Sequence, residues 1–392
     1  MISLPVINFD CIHFKGDRPC FPNKAYGVFC GECTLYEKDE MLTDEFPETP
    51  KPDFEENLKG FKKIIIVKLD AVGDVLRTTS ILPSLRTKYT DASITWITKE
   101  KSFGVLKDNE GIDEIYFDTD DLEHIYNDDF DLAINLDSGI ESCGIMSRLV
   151  AKERFGFHLV NNKPYPVNNL ANEWYLMGID DNVKKQNTKT YHKIIHEICG
   201  LEYSNTQPLL IMTPGKIRGA TELNKKFSLG KYDEFILINL GGGNRWQYKK
   251  WTKEGCISLI NMLLASKPES AIGIIAGKED REFYEDIASG SEQNQRLIKF
   301  GCNNSLNVFI CIIYLADKVF TSDSLALHIA TALDKYTVVI TGPTSYTELD
   351  VFGNGIILHS GKVECLCCYL NRCDKVVTCM NTVEAEDIIK FL

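Results

Sequence analysis

The sequence predicts an α/β fold of two tandem units, each a parallel sheet with helices on both faces. Three observations carry this. Short runs of buried-strand type alternate with helix-forming segments. The alternation begins at residue 62, lapses over 158–190 and restarts at 235. The 392 residues, 44% hydrophobic and 25% charged, suffice for two domains plus an extension.

Residues 1–36 are rich in Cys, Gly and Pro without helical or strand periodicity, which predicts a small unit held by cross-links rather than by an apolar core. The acidic stretch 37–58, with its three prolines, reads as a linker. IIIV (64–67) is a buried-strand run, followed by the turn residues Asp70, Gly73 and Asp74 and a helical stretch to Tyr89. Strands are predicted at 92–98, 113–117, 131–136 and 153–157. The polar, Asn-rich stretch 158–190 reads as loops, and 191–203 as a helix ending near Gly200. The second unit has strands at 235–240, 271–277, 296–301, 318–323 and 337–344. Between them lie an amphipathic segment at 251–266 and helices at 279–288 and 324–333, and a helix over 383–392 ends the chain. The economical architecture is two Rossmann-like units with a cleft between them, bounded as 1–58, 59–205 and 206–392.

Charge and hydropathy exclude several classes. A net charge of −13 argues against a protein that binds nucleic acid or another polyanion through its overall charge. The longest strongly apolar stretch, 308–316, is about half of a membrane span, and MISLPVINFD lacks a basic region followed by an apolar core. These features predict a soluble cytoplasmic protein. Its 14 cysteines are then unusual: four fall within 11–33, five within 365–379, and five lie far apart between.

Three segments hold residues suited to chemistry. In VKLDAVGDVLRTTSILPSL (67–85) a strand ends near Lys68 and Gly73-Asp74 opens a helix at the carboxyl edge of a sheet, where ligands of such sheets bind. Gly73 permits close backbone approach, and Asp74 fits either a carboxylate that takes a proton from a hydroxyl or a plain acid at a helix N-terminus. In NLGGGNRWQYKKW (239–251) a strand runs into three glycines ending at Gly243, then Asn244, Arg245 and Lys249. Exposed N–H groups and a lysine suit phosphate, although this is not the G-x-x-x-x-G-K-[ST] loop, and a plain connection fits equally. In FTSDSLALHIATALDKYTVVITGPT (320–344), Asp323-Ser324 precedes a helix whose N-terminus suits a diphosphate. An ordinary N-cap pair and a packed His328 fit the same pattern.

Together, V-K-x-x-x-x-G-D-V at 67–75, K-x-W at 249–251, D-S-x-x-x-H-x-A-x-A-L-D at 323–334 and G-P-T at 342–344 resemble the bacterial heptosyltransferases, glycosyltransferase family nine. The resemblance covers roughly residues 60–392. It implies the two-Rossmann GT-B fold and transfer of heptose from ADP-heptose, with inversion, to a lipopolysaccharide-core or other surface-glycan acceptor. No catalytic metal is implied. By position, Asp74 matches the general base and Lys249 the lysine that stabilises the departing diphosphate. Lys68 and Gly73 flank the base, while Gly243, Asn244, Asp323, Ser324, His328, Gly342 and Thr344 fall on the donor side. The chain departs from the pattern at Leu325, where a glycine is usual, and at Asn244 and Arg245, where small hydroxyl residues are frequent. The implied partners are a nucleotide-sugar donor, a glycolipid or oligosaccharide acceptor, and a peripheral contact with the inner membrane. The rival readings are an epimerase-like two-Rossmann enzyme and a non-catalytic, metal-stabilised binding protein.

Cys11, Cys20, Cys30 and Cys33 are spaced C-x8-C-x9-C-x2-C, and Cys365, Cys368, Cys373 and Cys379 are spaced C-x2-C-x4-C-x5-C. Each set has the four thiolates of a closed site, which predicts structural zinc, with an iron–sulfur cluster, reduced thiols or disulfides as alternatives. The N-terminal stretch also resembles a cysteine-rich extension carried by some family members.

Overall fold

The computed structural model describes residues 4–40, 42, 46–52, 62–242, 247–370 and 373–392. The chain forms two compact units, Met1–Thr206 and Gln207–Leu392.

In the first unit, β1 (Lys63–Val67), β2 (Ser93–Thr98), β3 (Glu114–Phe117), β4 (Asp129–Asn135), β5 (Val150–Val160) and β6 (Lys163–Pro166) form one sheet in the order β3-β2-β1-β4-β5-β6. All pairs are parallel except the β5–β6 hairpin. Ile64, Ile65, Ile66 and Val67 are fully buried, as expected of a central parallel strand covered on both faces. On one face Ile65, Val67, Ile97 and Ala133 pack against Ile145, Met146 and Leu149 of the segment around the Ile140–Arg148 helix.

In the second unit, β7 (Glu234–Asn239), β8 (Ser270–Ile275), β9 (Leu297–Gly301), β10 (Lys318–Ser322), β11 (Tyr336–Thr341) and β12 (Gly355–His359) form a parallel sheet in the order β12-β11-β10-β7-β8-β9. The Lys253–Ser266 helix buries Leu259, Ile260, Leu263 and Leu264 on it, and the C-terminal Ala385–Ile389 helix adds Ile388 to the same core.

Several readings change. Residues 158–190 are ordered structure: the β5–β6 hairpin and helices at Asn172–Ile179 and Asp181–Lys185. Their polar residues do not form one amphipathic face because many face the N-terminal segment. The helices Pro214–Phe227 and Leu306–Leu315 and strand β12 also escaped the sequence reading. The apolar run within 308–316 lies in a helix of the second core, with Ile310, Ile312 and Ile313 fully buried. Among the described residues no helix is long and apolar enough to cross a membrane.

The N-terminal segment is held by packing and hydrogen bonds to the rest of its unit rather than by the expected cross-links, its four cysteines being free. Phe9 stacks on Phe46 at 4.5 Å and meets Tyr165 edge-on at 5.3 Å. Lys163 donates to Phe9 O at 3.0 Å, Asn23 to Asp180 at 3.1 Å, and Lys24 pairs with Asp181 at 2.5 Å. The acidic stretch is also engaged over 46–52: Pro47 O accepts from the Tyr165 hydroxyl at 2.6 Å and Pro50 O from the Asn169 N–H at 3.0 Å.

One glycine is dictated by the sheet. Gly156 in β5 has φ +92° and faces the Asn135 carbonyl so closely that a Cβ would overlap it. A side chain there meets both left-handed strain and immovable backbone. Gly156→Ala is expected to lower stability by roughly 2–4 kcal/mol, read as a fall in the midpoint of denaturant unfolding.

Candidate active site

In each sheet the strand order reverses once, between β1 and β4 and between β7 and β10. The connections leaving those neighbours diverge, and in open sheets of this kind ligands bind outside the carboxyl ends of the strands at that point.

At the first reversal Lys68 follows β1 and Asp137 follows β4. The two form an ion pair with side chains only 3% and 2% exposed. Lys68 also donates to Leu136 O at 2.9 Å. The other Asp137 oxygen accepts the N–H groups of Leu69 at 2.5 Å and Asp70 at 3.2 Å. Asn135 fixes this loop by accepting the Asp137 N–H at 3.0 Å and donating to Phe157 O at 2.8 Å. Burial alone pulls the Lys68 pKa down, but the surrounding negative charge, chiefly Asp137, holds it well above the ordinary lysine value. Lys68 is therefore a buried cation whose ammonium faces Asp137.

The loop so fixed launches the Val72–Thr78 helix. Gly73 is buried in its first turn, where Asp74 suits the helix dipole and keeps its side chain 27% exposed. Arg77, one turn on, pairs with Asp74 at 2.7 Å and lies 3.7 Å from the centroid of the Tyr191 ring. Tyr191 is buried, and its hydroxyl bonds Thr78 at 2.8 Å. The result is a partly exposed carboxylate steered by a clamped guanidinium, able to accept a proton from a hydroxyl.

At the second reversal Asn239, the last residue of β7, donates to Thr321 at 3.0 Å and to Ser324 at 3.1 Å. Ser324 is the N-cap of the Leu325–Ala332 helix, yet its hydroxyl bonds Thr321 at 2.9 Å and makes no capping bond. One Asp323 oxygen accepts Lys249 at 2.7 Å and the Thr344 hydroxyl at 2.8 Å. Lys249 reaches it because Trp251, 4% exposed, anchors the chain by donating to Val383 O at 3.1 Å. Burial pushes the Asp323 carboxyl upward, but Lys249, followed by His328 and Thr344, holds it well below the usual carboxylate range. His328 is half-buried. Gly342 has no room for a Cβ, which would press on Cys379 and Met380. Gly243 and Asn244 lie outside the described residues, as does Arg245.

Sequence reasoning thus singled out Asp74, Lys249 and Asp323 but missed Arg77, Asp137 and Tyr191. The i,i+3 spacing of Asp74 and Arg77 was a usable signal. Asp137 and Tyr191 reach the site only through sheet order and helix packing.

All 14 cysteines are free thiols. Cys11, Cys20, Cys30 and Cys33 line one small cavity with His13 and Asn8. Burial, with the neighbouring thiols adding, pushes the Cys20 and Cys30 thiols up. Burial and the charges of Cys368, Cys365 and Cys373 push Cys379 up to about 11. The sets converge without closing: among the described residues no group of three or more Cys, His, Asp or Glu is arranged so that it could hold a metal ion. The expected pre-formed four-thiolate geometry is therefore not met at either end.

The Lys249–Asp323 pair gives a pH signature. With Asp323 held low, its stabilising contribution is fully present above about pH 4, the unfolded-state value, and is lost only as pH falls toward the lower folded-state value. Lys249→Met is expected to destabilise the chain at pH 7. The gap from the parent should narrow as pH falls, because the variant's buried Asp323 then becomes neutral. Thermal unfolding at several pH values reads this directly.

Residues 122–375 match the family model for glycosyltransferase family 9 (heptosyltransferase). The chain is 24% identical over 342 residues to lipopolysaccharide heptosyltransferase 1 of Campylobacter coli, covering 84% of this chain and 98% of that protein. The glycosyl transferase family 9 structure from Veillonella parvula superposes with a TM-score of 0.66 at 18% identity, covering 85% and 96% of the two chains. For E. coli ADP-heptose lps heptosyltransferase II the TM-score is 0.61 at 16% identity, covering 84% and 97%. The fold is of the GT-B type, and the chain belongs to glycosyltransferase family 9, a family of sugar-transferring enzymes.

Proposed function

We propose that the chain is an inverting glycosyltransferase that moves heptose from ADP-heptose to a lipopolysaccharide-core or related surface-glycan acceptor. The observation that carries this is the pair of strand-order reversals. One bears a steered carboxylate at Asp74, and the other bears a lysine, Lys249, beside a helix N-terminus suited to a diphosphate. The curated relative at 24% identity and the solved heptosyltransferase II supply the donor and acceptor classes.

In this reading Asp74 takes the proton of the acceptor hydroxyl as its oxygen attacks the anomeric carbon from the face opposite the leaving group. The bond from that carbon to the diphosphate oxygen breaks, and its electron pair stays on the diphosphate. Lys249 stabilises the developing charge, while Asp323, itself fixed by Thr344, keeps the ammonium in place. Ser324, His328, Gly342 and the glycine loop with Gly243 and Asn244 complete the donor side. Gly73 lets the acceptor approach beside Asp74. Lys68 acts one layer below, by holding the loop from which the Asp74 helix starts. The enzyme works on the cytoplasmic side and meets the inner membrane peripherally, where a lipid-linked acceptor resides.

The two cysteine sets are proposed to close around a thiophilic cation such as zinc: Cys11, Cys20, Cys30 and Cys33 at one end, and Cys365, Cys368, Cys373 and Cys379 at the other. The shared cavity of the first set and the four-thiolate spacing of both support this. The role is structural, since four thiolates leave no open coordination position.

Asp74→Asn is expected to lower kcat by about 10²–10⁴-fold while leaving ADP-heptose affinity near that of the parent, measured with purified chain, ADP-heptose and a lipopolysaccharide-core acceptor. Transfer at the parental rate would remove Asp74 from the base role. Metal analysis of the purified chain should find zinc that falls in Cys30→Ser and in Cys368→Ser; an iron absorption band would replace zinc with an iron–sulfur cluster.

A further inference from the structure

We infer that the cysteine-rich tail positions the donor side of the site, with Tyr369 as the key positioning residue. This rests on the reading that the turn at 342–344 belongs to the sugar-nucleotide site.

The turn after β11 carries Thr344, whose hydroxyl helps fix Asp323 and through it Lys249. No helix follows it directly, and its backbone groups are satisfied from the tail. The N–H of Cys367 donates to Gly342 O at 2.9 Å and that of Tyr369 to Pro343 O at 2.9 Å. The Cys367 thiol reaches Thr344 O at 3.6 Å. The Tyr369 hydroxyl accepts the Ser345 N–H at 2.9 Å and donates to Glu348 at 3.2 Å, an arrangement that turns its lone pair toward Ser345. Four consecutive residues, 342–345, are thus held by two residues of the tail.

This grip is built at a cost. Cys367 and Tyr369 adopt φ of +57° and +51°, left-handed backbone that non-glycine residues seldom take. Both are largely buried, at 7% and 9% exposure, and such strain persists only where surroundings enforce it. On the far side Gly342 rests on Cys379 and Met380, where a Cβ would lie 2.8 Å from Cys379 Cβ. The tail therefore touches the turn from both ends of the 365–379 cysteine span. Its ordering and the placement of Thr344, Asp323 and Lys249 are one mechanical unit, and anything that orders the tail tightens the donor site.

The test is titration of the full chain with ADP, together with steady-state kinetics in both substrates. Tyr369→Phe keeps the ring and removes only the hydroxyl. It should raise the ADP Kd and the donor KM by about tenfold and leave the acceptor KM within about twofold. Glu348→Gln keeps an acceptor for the Tyr369 hydroxyl and should stay near the parent. Gly342→Ala, which pushes Cys379 away without touching Tyr369, should weaken ADP as Tyr369→Phe does. A lowered Tm in Tyr369→Phe with unchanged ADP Kd and donor KM would overturn the positioning role and leave the donor reading intact. Failure of the parent chain to bind ADP would overturn both.

Discussion

The buried pair of Lys68 and Asp137 is the interaction on which the first unit's site depends. A lysine and an aspartate at 3% and 2% exposure are tolerable only as a pair whose remaining donors and acceptors are also satisfied. Here they are: Leu136 O takes one ammonium proton, and the Leu69 and Asp70 N–H groups fill the second carboxylate oxygen. The pair sits where the sheet reverses its order and where β1 and β4 part company. It turns that gap into a fixed platform, and the helix bearing Asp74 starts two residues beyond the last N–H it binds. A buried pair of this kind contributes little net stability against an apolar replacement, but it fixes geometry, which is what a proton acceptor needs.

The second unit solves the same geometric problem with neutral groups at the sheet edge. Asn239, Thr321 and Ser324 tie β7 to β10, and the charged pair is moved outward to Lys249 and Asp323. That displacement follows from the chemistry proposed for each side. A proton acceptor needs its carboxylate held in one direction, and Arg77, clamped on Tyr191, does so by pairing with Asp74 at 2.7 Å. A diphosphate needs a cation near the surface with hydrogen-bonding capacity to spare, and Lys249 is 16% exposed. The two halves of the chain repeat one strand order and differ in the direction of one edge strand and in which residues are buried at the reversal.

The cysteine-rich ends belong to the same picture. The N-terminal segment packs on the β5–β6 hairpin and the Asn172–Ile179 and Asp181–Lys185 helices through Phe9, Asn23 and Lys24. The C-terminal segment packs on the turn after β11 through Cys367 and Tyr369. Neither is a free appendage: the first braces a hairpin and two short helices of its unit, and the second braces a turn that no helix directly follows.

The sequence by itself determined the alternation of strands and helices, because buried parallel strands such as IIIV must be apolar throughout and helices must keep a stripe. It also marked Asp74, Lys249 and Asp323, since each lies in a segment that follows a strand, where a parallel sheet exposes its chemistry, and matches a motif of the family resemblance. Only the tertiary structure decided what those residues touch. Asp137 lies 69 positions from Lys68, and Tyr191 lies 114 positions from Arg77. Tyr369 meets the turn that carries Thr344 from a separate segment. The stretch 158–190 looked irregular for the same reason: its polar residues answer to the N-terminal segment, and local periodicity cannot register a partner more than 100 residues away. Sequence pattern encodes which face of an element is apolar; strand order, set by the packing of the whole unit, encodes which polar groups become neighbours.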